Sequence, residues 1–190
     1  MKQQPIAKED ILNTFIALFN FLGPSLTLSQ VSKELHISKK TIYKYFSSKN
    51  EIYEAILDNV VEEISVAQKQ IYDDPSLSLE KKIYKLLTIE TEEEKKINMS
   101  KMSALADTEP KFFKRLMDEY EVRWDYFSKL VNEGKQQGII KKDTNVYLVI
   151  RVLESSLQSF YRKDFFKFTG LTYTDAVKQL VNTIIEGIKV

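Results

Sequence analysis

Cysteine is missing from the chain, which excludes disulfides and thiolate metal sites and fits a reducing compartment. Histidine is nearly missing too: His36 stands alone, too few for most acid–base or metal chemistry. No glycine-rich GxxxxGK phosphate loop occurs, and no serine carries a nucleophile-elbow pattern. The acid pair Asp73-Asp74 and the run Glu92–Glu94 are poor metal candidates, because neighbouring acids on a helix point in different directions. A solvated face is the expectation there. The chain is therefore not expected to be an enzyme, and neither a metal nor a cofactor is expected.

Long apolar runs are lacking as well. No segment approaches the roughly 20 uninterrupted apolar residues of a membrane span, and the opening MKQQPIAKED has no leader-like character. The cytoplasm is the expected compartment. Glycine and proline are sparse, five and four in 190 residues, so few boundaries punctuate the chain.

What is present is helical periodicity. Hydrophobic residues make up 43% of the chain, enough for a sizeable core, and strand-like alternation is scarce. The apolar spacing predicts about nine helices: 6–22, 28–35, 39–46, 49–74, 78–96, 98–107, 111–137, 146–160 and 176–188. Thr27 and Ser38 have the chemistry of N-caps, and Gly23-Pro24 and Gly138 stop helices. In 111–137 the residues Phe113, Leu116, Met117, Tyr120, Trp124, Phe127 and Val131 fall on one side. The segment 146–160 is apolar nearly all round, so it needs cover on both sides, and a second subunit is one way to supply it. A central helix within one subunit is the other.

Charge is unevenly spread. Of 28 basic and 27 acidic side chains, seven lysines but only Glu9, Asp10 and Glu34 fall in residues 1–50. That leaves a surplus of four positive charges there and a deficit of three over the rest. A basic head on a mildly acidic body suits a polyanion partner, although a lysine-rich solvated surface looks the same.

The stretch HISKKTIYKYFSSK, residues 36–49, concentrates this charge. Two short helices joined by a tight turn, with a third packed before them, form a helix-turn-helix. If Ile42 and Phe46 point inward, then Lys39, Lys40, Thr41, Tyr43, Lys44 and Tyr45 face outward or sideways. A helix fits the major groove of duplex DNA with its N-terminal residues at the base edges, and lysines neutralise phosphates.

At these residues the chain resembles the DNA-binding domain of the tetracycline-repressor (TetR) family of bacterial transcription regulators. The resemblance spans residues 6–56 and rests on Ile11-Leu12, Leu18-Phe19, Gly23, Thr27 and ISKKTIYKYFSSKNEI at 37–52, above all Tyr43 and Phe46 followed by Lys49. Three positions depart from the family pattern: His36 stands where glycine is common in the turn, Ser32 where a small residue is common, and Tyr45 where histidine is common. The resemblance implies an all-α fold, with a three-helix head at 1–48 and a larger C-terminal bundle at 49–190 for effector binding and dimerisation. It implies base contacts from Lys39, Lys40, Thr41 and Tyr45, and phosphate contacts from Thr27, Ser38, Tyr43, Lys44 and Lys49. Thr27 and Ser38 could equally serve as caps alone. It further implies a homodimer on a near-palindromic double-stranded operator, released by a small molecule and acting as a repressor. Tyr120, Trp124 and Tyr161 are the effector-site candidates, because each joins an apolar body to a polar tip, and an apolar or aromatic effector is expected. The competing reading is a helical interaction module that has kept the head and lost DNA binding.

Overall fold

The computed structural model of the chain describes residues 6–102, 104–122, 124–160 and 165–190. These residues are helical almost throughout, and their one β-bridge joins Ile140 to Lys189. The all-α architecture follows from the period of the apolar residues. No helix among the described residues is long and apolar enough to cross a membrane.

Four helices open the chain. Helix α1 (Lys8–Leu22) buries Ile11, Leu12, Phe15, Ile16 and Phe19 on one face. Its first turn is closed by the Ala7 N–H donating to the Asp10 carboxylate at 2.8 Å. It stops at Gly23, whose φ of 64° suits a residue without a side chain. Helix α2 (Leu28–Glu34) starts at a reciprocal capping box between Thr27 and Gln30. Helix α3 (Lys39–Tyr43) starts at Ser38, and α4 (Lys49–Asp73) is the longest element.

The chain continues through α5 (Leu79–Leu87), α6 (Glu92–Lys95), α7 (Met99–Met102) and α8 (Leu105–Thr108). It ends with α9 (Pro110–Val122), α10 (Trp124–Gln137), α11 (Val146–Phe160), α12 (Phe165–Thr169) and α13 (Tyr173–Ile188). Two sequence expectations are corrected here, the first being the helix over 98–107, where α7 ends at Met102 and α8 starts afresh at Leu105. The single helix expected over 78–96 is two: α5 ends at Leu87 with Thr88 as its C-cap, and α6 begins afresh at Thr91. The cause is a second capping box. The Glu94 N–H donates to Thr91 Oγ1 at 3.0 Å while the Thr91 N–H donates to the Glu94 carboxylate at 3.0 Å.

The chain forms two compact units. The first runs up to Glu62 and resumes over Thr91–Leu116. Its core holds Ile11, Phe15, Leu26, Val31, Ile42, Phe46 and Ile52, all essentially inaccessible. Asn20 on α1 ties in the chain before α7, donating to the Lys96 carbonyl at 2.6 Å and accepting from the Asn98 N–H at 2.7 Å. Arg115 on α9 reaches both Glu54 and Asp58 on α4.

The second unit comprises Glu63–Glu90 and Met117–Val190. Its core gathers Ile83 and Leu86 of α5, Phe127, Leu130 and Val131 of α10, Leu153 of α11 and Ile188 of α13 around Ile140. Gly134 lets the turn after α10 fold back tightly, since a Cβ there would lie 2.7 Å from Ile140 Cδ1. The C-terminal strand-like end is pinned to that turn by Lys141 N–H to the Ile188 carbonyl at 2.9 Å and Val190 N–H to the Ile139 carbonyl at 3.1 Å.

Candidate nucleic-acid interface

The helix-turn-helix is built from local signals. Helix α2 ends in a Schellman arrangement: the His36 N–H donates to the Lys33 carbonyl at 3.1 Å and the Ile37 N–H to the Ser32 carbonyl at 3.0 Å. That geometry requires a left-handed residue, and His36 supplies it with φ 54°, the one positive-φ residue other than glycine among the described residues. Ser32 is buried beneath the turn, its hydroxyl satisfied by the Ser29 carbonyl at 3.0 Å. Ser38 then caps α3, accepting from the Thr41 N–H at 3.1 Å. Its Oγ also lies 3.0 Å from Thr41 Oγ1, so one of the two hydroxyls donates to the other.

Helix α3 has two faces. Ile42 and Phe46 are 0% and 1% exposed and fix its seat. On the other side Lys39, Lys40, Tyr43 and Lys44 stand in solvent. Among the described residues none of their side chains makes a hydrogen bond or an ion pair within the protein. Three cations and a phenol ring on one short helix, with no acid to neutralise them, form a surface that favours a polyanion.

The remaining expected contact residues are engaged. Thr27 and Ser38 are caps, with their side chains exposed at helix starts. Thr41 is half-buried. Tyr45 is exposed along its ring, but its hydroxyl donates to the Ile6 carbonyl at 2.7 Å, tying the chain before α1 to the end of the recognition helix. Lys49 is the most withdrawn. Its ammonium donates to the Pro24 carbonyl at 2.8 Å, lies 3.8 Å from Glu109 Oε1, and sits 5.5 Å from the centre of the Tyr53 ring. Sequence reasoning had no access to Glu109, which is 60 positions away.

Tyr53 had no place in the reading of the sequence. Its ring meets Phe15 and Phe19 edge-on and stacks on Phe112 at 5.2 Å. Burial pushes the hydroxyl's pKa up, Glu109 adding to the effect, and among the described residues the hydroxyl has no hydrogen-bond partner. Further along, the Glu51 carboxyl is held below its ordinary pKa by the hydroxyl and N–H of Ser47.

Of the effector candidates, Tyr161 lies outside the described residues, as does the side chain of Tyr120. Trp124 is half-buried at the start of α10, with its ring edge-on to Phe127 at 5.9 Å. Its Nε1 is fully buried and, like the Tyr53 hydroxyl, lacks a partner among the described residues. Among the described residues no group of three acidic or histidine side chains is placed to hold a metal.

Comparison with known proteins agrees with this geometry. Residues 11–56 match the model of the bacterial regulatory proteins of the tetR family. Over 178 residues the chain is 25% identical to the HTH-type transcriptional regulator YvaF of Bacillus subtilis (strain 168), covering 94% of this chain and 93% of that one. The fold matches the ketosteroid transcriptional regulator KstR2 of Mycobacterium tuberculosis, with a TM-score of 0.66 and 20% identity over 99% of this chain and 97% of that one. It also matches the transcriptional regulator FadR of Bacillus subtilis, solved in complex with stearoyl-CoA, with a TM-score of 0.63 and 14% identity over 96% of this chain and 100% of that one. The head is thus matched in sequence by the tetR-family model, and the chain as a whole shares its architecture with the transcriptional regulators it resembles.

Proposed function

We propose that the chain is a dimeric, effector-released repressor. The observation that carries the reading is the two-faced α3, seated by Ile42 and Phe46 and presenting Lys39, Lys40, Tyr43 and Lys44 outward. Lys39, Lys40 and Thr41, at the N-terminal end of the helix, address base edges in the major groove. Tyr43 and Lys44 hold phosphates, joined by the capping residues Thr27 and Ser38 and by Lys49. Tyr45 enters the interface with its ring edge, since its hydroxyl is committed to Ile6.

A second copy supplies the second head. On α11, Tyr147 and Leu148 are 66% and 60% exposed, and Val152 joins them one turn on. An apolar stripe of this kind on a helix whose opposite face is buried calls for a cover. Two heads then meet successive major grooves of a near-palindromic operator, with half-sites ~34–36 Å apart. The functional division falls at Lys49, with 1–48 as the DNA head and 49–190 as the regulatory and dimerising body. Helix α4, which contributes to both compact units, carries the signal between them.

The effector enters the apolar body, and Trp124 is the residue best suited to recognise it, because a buried indole N–H without an acceptor favours a ligand that brings one. An apolar molecule with a hydrogen-bond acceptor fits, in keeping with the stearoyl-CoA bound to the FadR relative. Release follows population shift: the effector must prefer the form whose heads do not fit the operator.

Fluorescence-anisotropy titration of the duplex upstream of the chain's own gene tests the reading. Affinity should fall steeply with salt, and Lys39→Ala with Lys40→Ala should cost about 1–3 kcal/mol per residue without lowering Tm. Weak binding that is equal for every fragment and indifferent to both substitutions would instead mark an interaction module that does not read DNA.

A further inference from the structure

Lys49 opens helix α4, and a cation is out of place there. The first-turn amides of a 25-residue helix present positive potential, so an ammonium at that end is disfavoured, by about 0.3–1 kcal/mol, and gains from an anion beside it. In this structure the anion is Glu109. The two side chains are 22% and 19% exposed and stand beside the Tyr53 ring, a setting drier than the open surface. One of the three ammonium protons is held by the Pro24 carbonyl. Glu109 is held in turn from its own side of the chain. It sits between α8 and α9, three residues before Phe112, which stacks on Tyr53, and six before Arg115, which grips Glu54 and Asp58.

We propose that Glu109 is a positioning residue for DNA binding: it occupies the charge of Lys49 that an operator phosphate needs, so that the Lys49–Glu109 pair and the Lys49–phosphate contact are alternatives. The inference rests on the DNA reading above and adds to it a brake built from the 105–116 segment. Binding to the operator must part Glu109 from Lys49, and whatever fixes Glu109 in place opposes binding.

The test is a double-mutant cycle on the full chain, read by anisotropy with the same upstream duplex at several salt concentrations. Glu109→Gln should bind about two- to fivefold more tightly at roughly 0.1 M salt, the range an ion pair at a partly exposed site supplies. Lys49→Gln, which keeps a donor for the Pro24 carbonyl and lacks the charge, should bind more weakly, with a salt slope shallower by about 0.9. In the Lys49→Gln background, Glu109→Gln should have no effect. Thermal unfolding of each variant reads folding separately, and Glu109→Asp, which retains a carboxylate, should bind like the parent. If Glu109→Gln strengthens binding equally in both backgrounds, the carboxylate only repels DNA at large and the inference is overturned. It is overturned too if Glu109→Gln changes nothing while Lys39→Ala with Lys40→Ala abolishes binding, an outcome that leaves the DNA reading intact. Indifference of a weak affinity to all of these substitutions would remove both.

Discussion

The two compact units differ in what holds their helices. In the first, α2 and α3 are bounded by devices a few residues long: the Thr27–Gln30 box, the turn at His36, the Ser38 cap. In the second, α5 and α13 also start at side-chain caps, Ser78 and Thr172, but the helices meet in one shared core, to which α10, the turn after it, α11 and α13 bring Phe127, Leu130, Ile140, Leu153 and Ile188. Short-range devices fix where helices lie before any core forms, whereas a shared core fixes them only collectively. A DNA-reading head gains from the first strategy, because its recognition helix must be held in one orientation. On the function proposed above, a body that admits an effector gains from the second, because packing can be redistributed.

The largest expected effect tests whether the cores are equally stringent. Phe46→Ala in the first unit and Phe127→Ala in the second each delete a ring that is at most 1% exposed. Each should cost about 3–5 kcal/mol in urea unfolding. The comparison sharpens if effector-like hydrophobic molecules such as fatty acids restore stability to Phe127→Ala and leave Phe46→Ala unimproved. Equal restoration of both would break it.

Gly134→Ala comes next. In a helix interior alanine gains about 1 kcal/mol over glycine, yet here its Cβ would meet Ile140 Cδ1 and Cγ1 at 2.7 and 2.9 Å and Leu79 Cδ2 at 3.1 Å. Ile140 is itself buried in the core, at 3% exposure, and has little room to yield. The clash should win, for a net loss of about 1–2 kcal/mol in thermal or urea unfolding. A variant more stable than the parent would show that the body's packing is looser than its burial implies.

The same contrast governs what could be read from the sequence. The head was legible almost to the residue, because caps, turn and apolar spacing are all local: Thr27, Ser38, Ile42 and Phe46 stand where the pattern put them. The single-helix reading of 78–96 failed on an equally local signal, the Thr91–Glu94 pair, which its acidic periodicity obscured. The contacts that could not be read join distant positions. Nothing near Lys49 points to Glu109, nothing near Tyr45 to the Ile6 carbonyl, and nothing near Glu54 and Asp58 to Arg115. Each depends on how α1, α4 and α9 approach one another, which periodicity does not encode. The exposed stripe of α11 lies between these cases, since its apolar character was legible but not which side the core would take.

The smallest effect is also the most local. At His36 the turn demands φ 54°, a region costly for a residue with a Cβ and easy for glycine. His36→Gly should remove that strain, at the expense of greater freedom in the unfolded chain, which returns part of the gain. The strain of a left-handed non-glycine residue is the larger of the two, so a net gain of about 0.5–1 kcal/mol is expected, a rise in Tm of about 1–4 °C. The backbone hydrogen bonds of the turn, Ile37 N–H to Ser32 and His36 N–H to Lys33, do not involve the imidazole and should survive. Operator affinity should therefore stay within about twofold, because α3 keeps its seat on Ile42 and Phe46. A fall in Tm would mean that the imidazole makes a stabilising contact outweighing the strain. Unchanged stability with weakened operator binding would move His36 from the scaffold of the turn into the interface itself.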